Sequence, residues 1–278
     1  MPIVTFWSNN EKSIGQTISA ALTATVTAIE HNYKVLLISA DFNDKIIESA
    51  FGAQESNKDI VKGIIQKAQI NLGTGVQGLL KLADSNRVTP ELIHDYTKIV
   101  FKNRLEILYS PNVEENETTQ NDIMVKIKNV IMNASRYYDY VFVDLKKGLK
   151  YAEQKEILDI SDVVVLNIDQ RIDTIESALN LKEIQKMYNK IIWNICKSDK
   201  NSKYNSKNLT RKILKREKIY EIDYNTLIFE ASQEGNIPEL MLRFRTIKED
   251  DTNNALFLKI KMLIEEIILK YRQSRSGM

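Results

Sequence analysis

The stretch Ile3-Val4-Thr5-Phe6-Trp7-Ser8-Asn9-Asn10-Glu11-Lys12-Ser13-Ile14-Gly15-Gln16-Thr17-Ile18-Ser19-Ala20-Ala21-Leu22 decides how the rest of the chain is read. Its first five residues are a continuous apolar and β-branched run, the mark of a strand buried on both faces. From Thr17 to Glu30 the apolar residues recur at helical spacing. The loop between them is where a phosphate loop would lie. There, glycines let backbone N–H groups wrap the phosphates, a lysine meets the terminal phosphates, and a Ser or Thr hydroxyl holds magnesium. Gly15 and Thr17 fit that pattern, while Gln16 stands at the lysine position.

Working outward, further strand signals fall at Lys34 to Ser39, Leu105 to Tyr109, Tyr140 to Asp144, Val163 to Ile168 and Ile191 to Ile195. Helical periodicity covers Asp122 to Ser135, Ile175 to Tyr188 and Asn253 to Lys270. Strands that alternate with helices, each strand near-continuously apolar, require a parallel sheet covered on both faces. The expected fold is therefore α/β: a doubly wound, mostly parallel sheet flanked by helices. Ligands of such sheets bind just beyond the carboxyl ends of the strands. Two stretches fit the plan less well: Phe51 to Phe101, with a turn carrying Gly73, Gly75 and Gly78, and the polar run Lys197 to Lys218.

Length and composition narrow the class. The 278 residues are expected to form one unit over 1–278, since α/β sheets of this size fold around one core. With 43% hydrophobic and 27% charged residues, the chain can bury a core and is not of disordered composition. The single cysteine, Cys196, has no partner for an internal disulfide, and the N-terminus runs straight into a strand, which together favour the cytoplasm. No apolar run reaches the roughly 18 to 20 residues of a membrane span. A formal charge of +2 gives no global field toward nucleic acid or anionic lipid, so any such contact must be local.

The loop resembles the deviant phosphate loop of the MinD/ParA family of P-loop ATPases. Aligned on Thr17, Glu11 falls at the family's signature lysine, Lys12 and Ser13 at its two glycines, and Gln16 at its second lysine. Further blocks follow in family order. Leu36-Leu37-Ile38-Ser39-Ala40-Asp41 is similar to a strand whose last Asp positions the attacking water, with Ser39 in place of an earlier Asp. Tyr138-Asp139-Tyr140-Val141-Phe142-Val143-Asp144-Leu145-Lys146-Lys147-Gly148 resembles the segment whose Asp, here Asp144, is the Walker B carboxylate. Ser161 to Leu166, running on through Thr174, Ile175 and Ala178, is similar to the next strand and helix. Ile191-Ile192-Trp193-Asn194 resembles the strand ending in the Asn that reads the adenine edge, and Glu230 to Pro238 the family's segment before the closing helix.

The resemblance implies ATP and Mg2+ as cofactors. It places nucleotide contacts at Glu11, Lys12, Ser13, Gly15, Gln16, Thr17, Asn194 and Pro238, magnesium at Thr17 and Asp144, and water positioning at Asp41. It also implies a homodimer. The departures bear on chemistry, because phosphoryl transfer depends on positioning and charge neutralisation. Each lost donor of this kind costs about 3 to 4 kcal/mol of barrier. Hydrolysis is expected to be very slow or absent, and nucleotide binding weak or lost.

A weakened loop on an otherwise ordinary sheet is similar to the TadZ/CpaE-like branch, which marks assembly sites of Tad-type pili and related secretion machines. Protein components of such a machine are then the implied partners, with recruitment to a pole or membrane through them. That branch usually adds a receiver-like domain in front, which is not expected here. Two alternatives remain open: an active partitioning ATPase using Asp41 and Asp144 with Lys12 as a displaced lysine, and a DNA-binding module using the basic residues between Lys197 and Lys218.

Other features have plainer readings. The apolar stripe Leu256, Ile260, Leu263, Ile264, Ile267 and Ile268 is expected to pack on the sheet instead of anchoring in a membrane. His31 and His94 lack partners at metal-ligand spacing and are expected near helix ends. No Gly-x-Ser-x-Gly or Cys/His arrangement supports nucleophilic catalysis.

Overall fold

The computed structural model describes residues 1–10, 13–42, 44–52, 79–80, 88–110, 117–145, 147, 151–212, 218–248 and 251–276. The expected cofactor contacts Glu11 and Lys12, the turn at Gly73, Gly75 and Gly78, and Lys146 and Gly148 lie outside the described residues.

In chain order the elements are β1 (Ile3–Trp7), α1 (Gln16–Glu30), β2 (Val35–Ala40), α2 (Ile46–Ala50), α3 (Pro90–Asp95), β3 (Lys98–Phe101), β4 (Leu105–Leu108), α4 (Glu117–Ala134), β5 (Tyr140–Leu145), α5 (Tyr151–Ile160) and β6 (Val163–Ile168). The chain continues with α6 (Ile172–Asn180), α7 (Lys182–Lys186), a 3-10 turn (Tyr188–Lys190), β7 (Ile191–Ser198), α8 (Ser206–Lys212), β8 (Ile219–Asp223), α9 (Thr226–Glu234), α10 (Ile237–Thr246) and α11 (Thr252–Ser276). The strands form one eight-stranded sheet in the order β3-β4-β2-β5-β1-β6-β7-β8. Every neighbour pair is parallel except β3 with β4. The α/β, mostly parallel architecture expected from the sequence is thus the one observed.

Alternate residues of each strand feed two cores. Ile3, Trp7, Leu36 and Ile38 pack with Ile127, Ile131, Ile157 and Ile175 from α4, α5 and α6. Val4, Phe6, Val35 and Leu37 pack with Leu22, Val26, Phe244, Ile260 and Ile264 from α1, α10 and α11. The apolar stripe of α11 is buried, as expected for a helix lying on the sheet. Helix α1 is buried from Gln16 to Ala28 except Ile18. Its threonines can be buried because Thr23, Thr25 and Thr27 donate to the carbonyls of Ser19, Ala21 and Thr23, which satisfies each hydroxyl within the helix.

Several boundaries differ from the sequence reading. The expected helix Ile175 to Tyr188 is broken at Leu181, whose extended backbone separates α6 from α7. Strand β7 runs on to Ser198, so Asn194 lies inside the strand and not at its end. Strands β3 and β8 were not expected; the first is a four-residue edge strand and the second lies beyond the basic run. His31 caps the end of α1 and His94 lies in the last turn of α3, both at helix ends.

Candidate functional site at the strand ends

Gly15 fixes the geometry of the loop after β1. Its φ of 101° is in the left-handed region that a residue with a Cβ rarely adopts, and α1 begins at the next residue. A Cβ there would lie 3.3 Å from Cys196 Cβ and from carbons of the Lys197 side chain, so Gly15 also lets the end of β7 approach closely. Lys197, itself at φ 52°, lies across the loop with Nζ 3.5 Å from the Ser13 carbonyl oxygen. On the other side Asn9 and Asn10 donate their amides to Ser177 and Thr174, tying the loop to α6.

Gln16 does not face the space beside the loop. Its Nε2 donates to Oδ1 of Asp144 at 2.7 Å and to the carbonyl oxygen of Leu145 at 2.7 Å. Both side chains are buried, Gln16 at 1% and Asp144 at 0% exposure. Register brings them together, since Asp144 sits beside Phe6 of β1 and Ser39 of β2 at the centre of the sheet. Burial pushes the Asp144 carboxyl up to about 7, against the pull of Lys147 and the Gln16 hydrogen bond. Gln16 Oε1 and Asp144 Oδ2 are buried without a hydrogen-bond partner among the described residues.

The charged centre of the site is Lys147, a residue to which the sequence pattern assigns no role. Its Nζ donates to Thr17 Oγ1 at 3.0 Å, pairs with Asp41 Oδ2 at 3.1 Å and reaches Asp44 Oδ2 at 3.4 Å. Burial opposes the charge of this ammonium, but Asp144, Asp41 and Asp44 outweigh it and hold its pKa above the ordinary lysine value. The available signal was the basic pair Lys146-Lys147 directly after the strand-end Asp144-Leu145.

Gly15, Gln16, Thr17, Asp41 and Asp144 therefore converge at the ends of β1, β2 and β5. Ser13 is exposed at their margin. Asn194 does not join them: it is wholly buried and donates Nδ2 to Ser19 Oγ and Asn167 Oδ1. Pro238 does not join them either, and lies buried in the first turn of α10, where a fixed φ and missing N–H suit a helix start. Beside Gly15 the space between α1, β8 and α9 is a cavity of about 70 Å³ bounded by Ser19, Lys197, Tyr224 and Phe229 among others, small against the roughly 300 Å³ or more of a ligand pocket. It adjoins a cavity of about 540 Å³ at the ends of β7 and β8, lined by Asp199, Lys200, Asn201, Tyr224 and Asn225 among others. Tyr224 and Asn225 belong to no motif of the sequence.

These residues do not fit a magnesium nucleotide as they stand. The Thr17 hydroxyl that would face magnesium accepts from Lys147, and the Asp144 carboxylate accepts from Gln16, the neutral group that stands at the lysine position. Among the described residues no three His, Cys, Asp or Glu side chains converge to hold a metal ion. No helix among them is long and apolar enough to cross a membrane.

No protein-family model matches the sequence, and no curated protein matches it by sequence. Solved structures do resemble it. A ParA family ATPase from Chlorobium tepidum TLS superposes with a TM-score of 0.68 at 15% identity, over 95% of this chain and 98% of that one. A plasmid partition protein from Borrelia burgdorferi B31, solved bound to AMPPNP, gives 0.62 at 20% identity over 97% and 98%. A chain of the MinC:MinD cell division protein complex from Aquifex aeolicus gives 0.63 at 16% identity over 95% and 96%. At these identities the likeness is one of fold, and the fold of this chain is that of the ParA and MinD ATPases.

Proposed function

We propose that this chain is a non-hydrolysing protein of the ParA/MinD fold that acts as a dimeric positioning scaffold for a larger assembly. The observation that carries the reading is the hydrogen bond from Gln16 to Asp144. Phosphoryl transfer needs positive charge at the terminal phosphates and a carboxylate free to act on metal-bound water. Here the loop offers a neutral amide, and that amide occupies one oxygen of the carboxylate. A protein that keeps the sheet but has a neutral amide where the loop's second lysine would stand retains the fold's surfaces for partners. The sequence resemblance to the TadZ/CpaE-like branch suggests a pilus or secretion machine as the assembly, and the MinC:MinD neighbour is a precedent for this fold in a protein complex.

Calorimetric titration with ATP and magnesium, followed by a phosphate-release assay, tests the reading. The expected result is weak or no binding and turnover at background. Rapid turnover abolished by Asp144→Ala would replace it with the partitioning-ATPase reading. Light scattering with and without ATP tests the dimer; a monomer under both conditions removes that part.

A second reading, DNA binding, is favoured by the exposure of Lys200, Lys203, Lys207 and Arg211 along one segment. Backbone binding of this kind weakens steeply with salt. Retention on DNA at low salt that is lost on reversing Lys203 and Lys207 supports it, and no retention at low salt eliminates it.

A further inference from the structure

We propose that the Lys147 ammonium stands where the fold's divalent cation would sit, so that this chain neutralises its strand-end carboxylates with an internal cation and takes no magnesium there. The inference concerns the same strand ends as the proposed function, but does not depend on whether a nucleotide binds.

Three observations carry it. First, the partners match the valence of an ammonium: three N–H donors face Thr17 Oγ1 at 3.0 Å, Asp41 Oδ2 at 3.1 Å and Asp44 Oδ2 at 3.4 Å. Those separations are of ammonium–oxygen type, whereas magnesium demands oxygens at about 2.0 to 2.1 Å in near-octahedral array. Second, the ammonium is enclosed, with its side chain 12% exposed and that of Asp41 10%, so these charges are largely removed from water and need each other. Third, the charge of this ammonium acts on the buried Asp144 carboxyl beside it, pulling against the burial that raises it.

Lys147 reaches the cluster from the turn after β5, two residues beyond Leu145, the last residue of that strand. Gln16 and Lys147 thus divide the work at the centre of the site. The amide holds Asp144 in place through Oδ1, and the ammonium supplies positive charge to Asp41, Asp44 and Thr17. Magnesium is commonly bound through only one or two carboxylates while keeping several waters. Removing the ammonium would therefore leave Asp41, Asp44 and the Thr17 hydroxyl as a set able to attract the ion that Lys147 now excludes.

The test uses the full chain without nucleotide, so that its outcome is separate from that of the turnover assay. Thermal unfolding is followed for wild type, Lys147→Met and Lys147→Arg, in millimolar magnesium chloride and in sodium chloride of equal ionic strength. Wild type and Lys147→Arg are expected to be indifferent to magnesium. Lys147→Met is expected to melt on the order of 5 to 10 °C lower and to recover part of the loss with magnesium. A folded Lys147→Met variant with the wild-type melting temperature and no magnesium response would overturn the proposal, as would wild-type stabilisation by magnesium equal to that of the variant. Should Lys147→Met fail to fold, manganese binding to wild type, read by water proton relaxation, decides. No stoichiometric binding upholds the proposal, and stoichiometric manganese lost in Asp41→Asn overturns it.

Discussion

Gln16 Nε2 and Asp144 Oδ1 lie 2.7 Å apart in the middle of the sheet, joining the first residue of α1 to the end of β5 across 128 positions of sequence. The bond is fully buried, so neither group has water as an alternative partner. Gln16→Ala leaves both the carboxylate and the Leu145 carbonyl short of a donor. Leaving a buried polar group unsatisfied costs about 1 to 3 kcal/mol, more when it is charged. Urea unfolding of the variant should show a loss of at least about that size; stability within experimental error of wild type would mean that Gln16 only fills space.

Among the described glycines, Gly235 and Gly52 make the closest backbone approach. Gly235 ends α9 at φ 79°, and a Cβ on it would lie 2.5 Å from Gly52 Cα and 2.6 Å from Gly52 N. Gly235→Ala meets both a strained backbone and a backbone clash, whereas Gly15→Ala meets the strain with 3.3 Å contacts to side chains. Denaturation of the two variants should therefore rank Gly235→Ala as the more destabilising, by about 1 kcal/mol or more.

Glu106 is a buried carboxylate away from the site, 1% exposed and bonded to the Tyr138 hydroxyl, to Thr97 Oγ1 at 3.1 Å and to His94 Nδ1 at 2.8 Å, with Lys34 Nζ at 3.4 Å. Burial raises its pKa, but the bonds from Tyr138 and His94 and the charge of Lys34 outweigh this and leave it below the ordinary value of 4.5. A lowered folded-state pKa contributes stability that is present above the unfolded pKa and is lost as pH falls through the folded one. The wild-type protein should lose stability below about pH 4.5, and Glu106→Gln should flatten that dependence while costing about 1 to 3 kcal/mol at neutral pH. Parallel pH profiles for the two proteins would contradict this.

Cys196 is 2% exposed and its Sγ donates to Asn167 Oδ1 at 3.1 Å. Burial pushes its thiol up to about 12, against smaller pulls from Ser19 and Lys197. The thiolate is the reactive form, so labelling by a maleimide at neutral pH should be slow in the folded protein and rapid in denaturant. Fast labelling under native conditions would show that the end of β7 opens.

The central strands were legible because each is a short apolar run feeding two cores, and β1, β2, β5 and β6 lie within a residue of their expected bounds. The edges were not. Strand β3 is a four-residue edge strand with Lys98 in it, and β8 carries Glu221 and Asp223 paired to Lys259 of α11, so neither shows an uninterrupted apolar signal. Of the expected site, Gly15, Gln16, Thr17, Asp41 and Asp144 meet at the strand ends, because each directly follows or ends a central strand or opens α1. Asn194 and Pro238 do not meet them: one lies within a strand that runs further than its sequence suggested, and the other opens a helix.

By itself the sequence determined the alternation of strands and helices, hence a parallel sheet with two covered faces, and the glycine on which the first loop turns. Those are local properties, written in periodicity and in the conformational freedom of one residue. The direction of the Gln16 amide and the placing of Lys147 among Thr17, Asp41 and Asp44 were decided only by tertiary structure. Long polar side chains choose among partners more than a hundred positions away, and only the packed sheet makes one choice the buried, charge-compensated one.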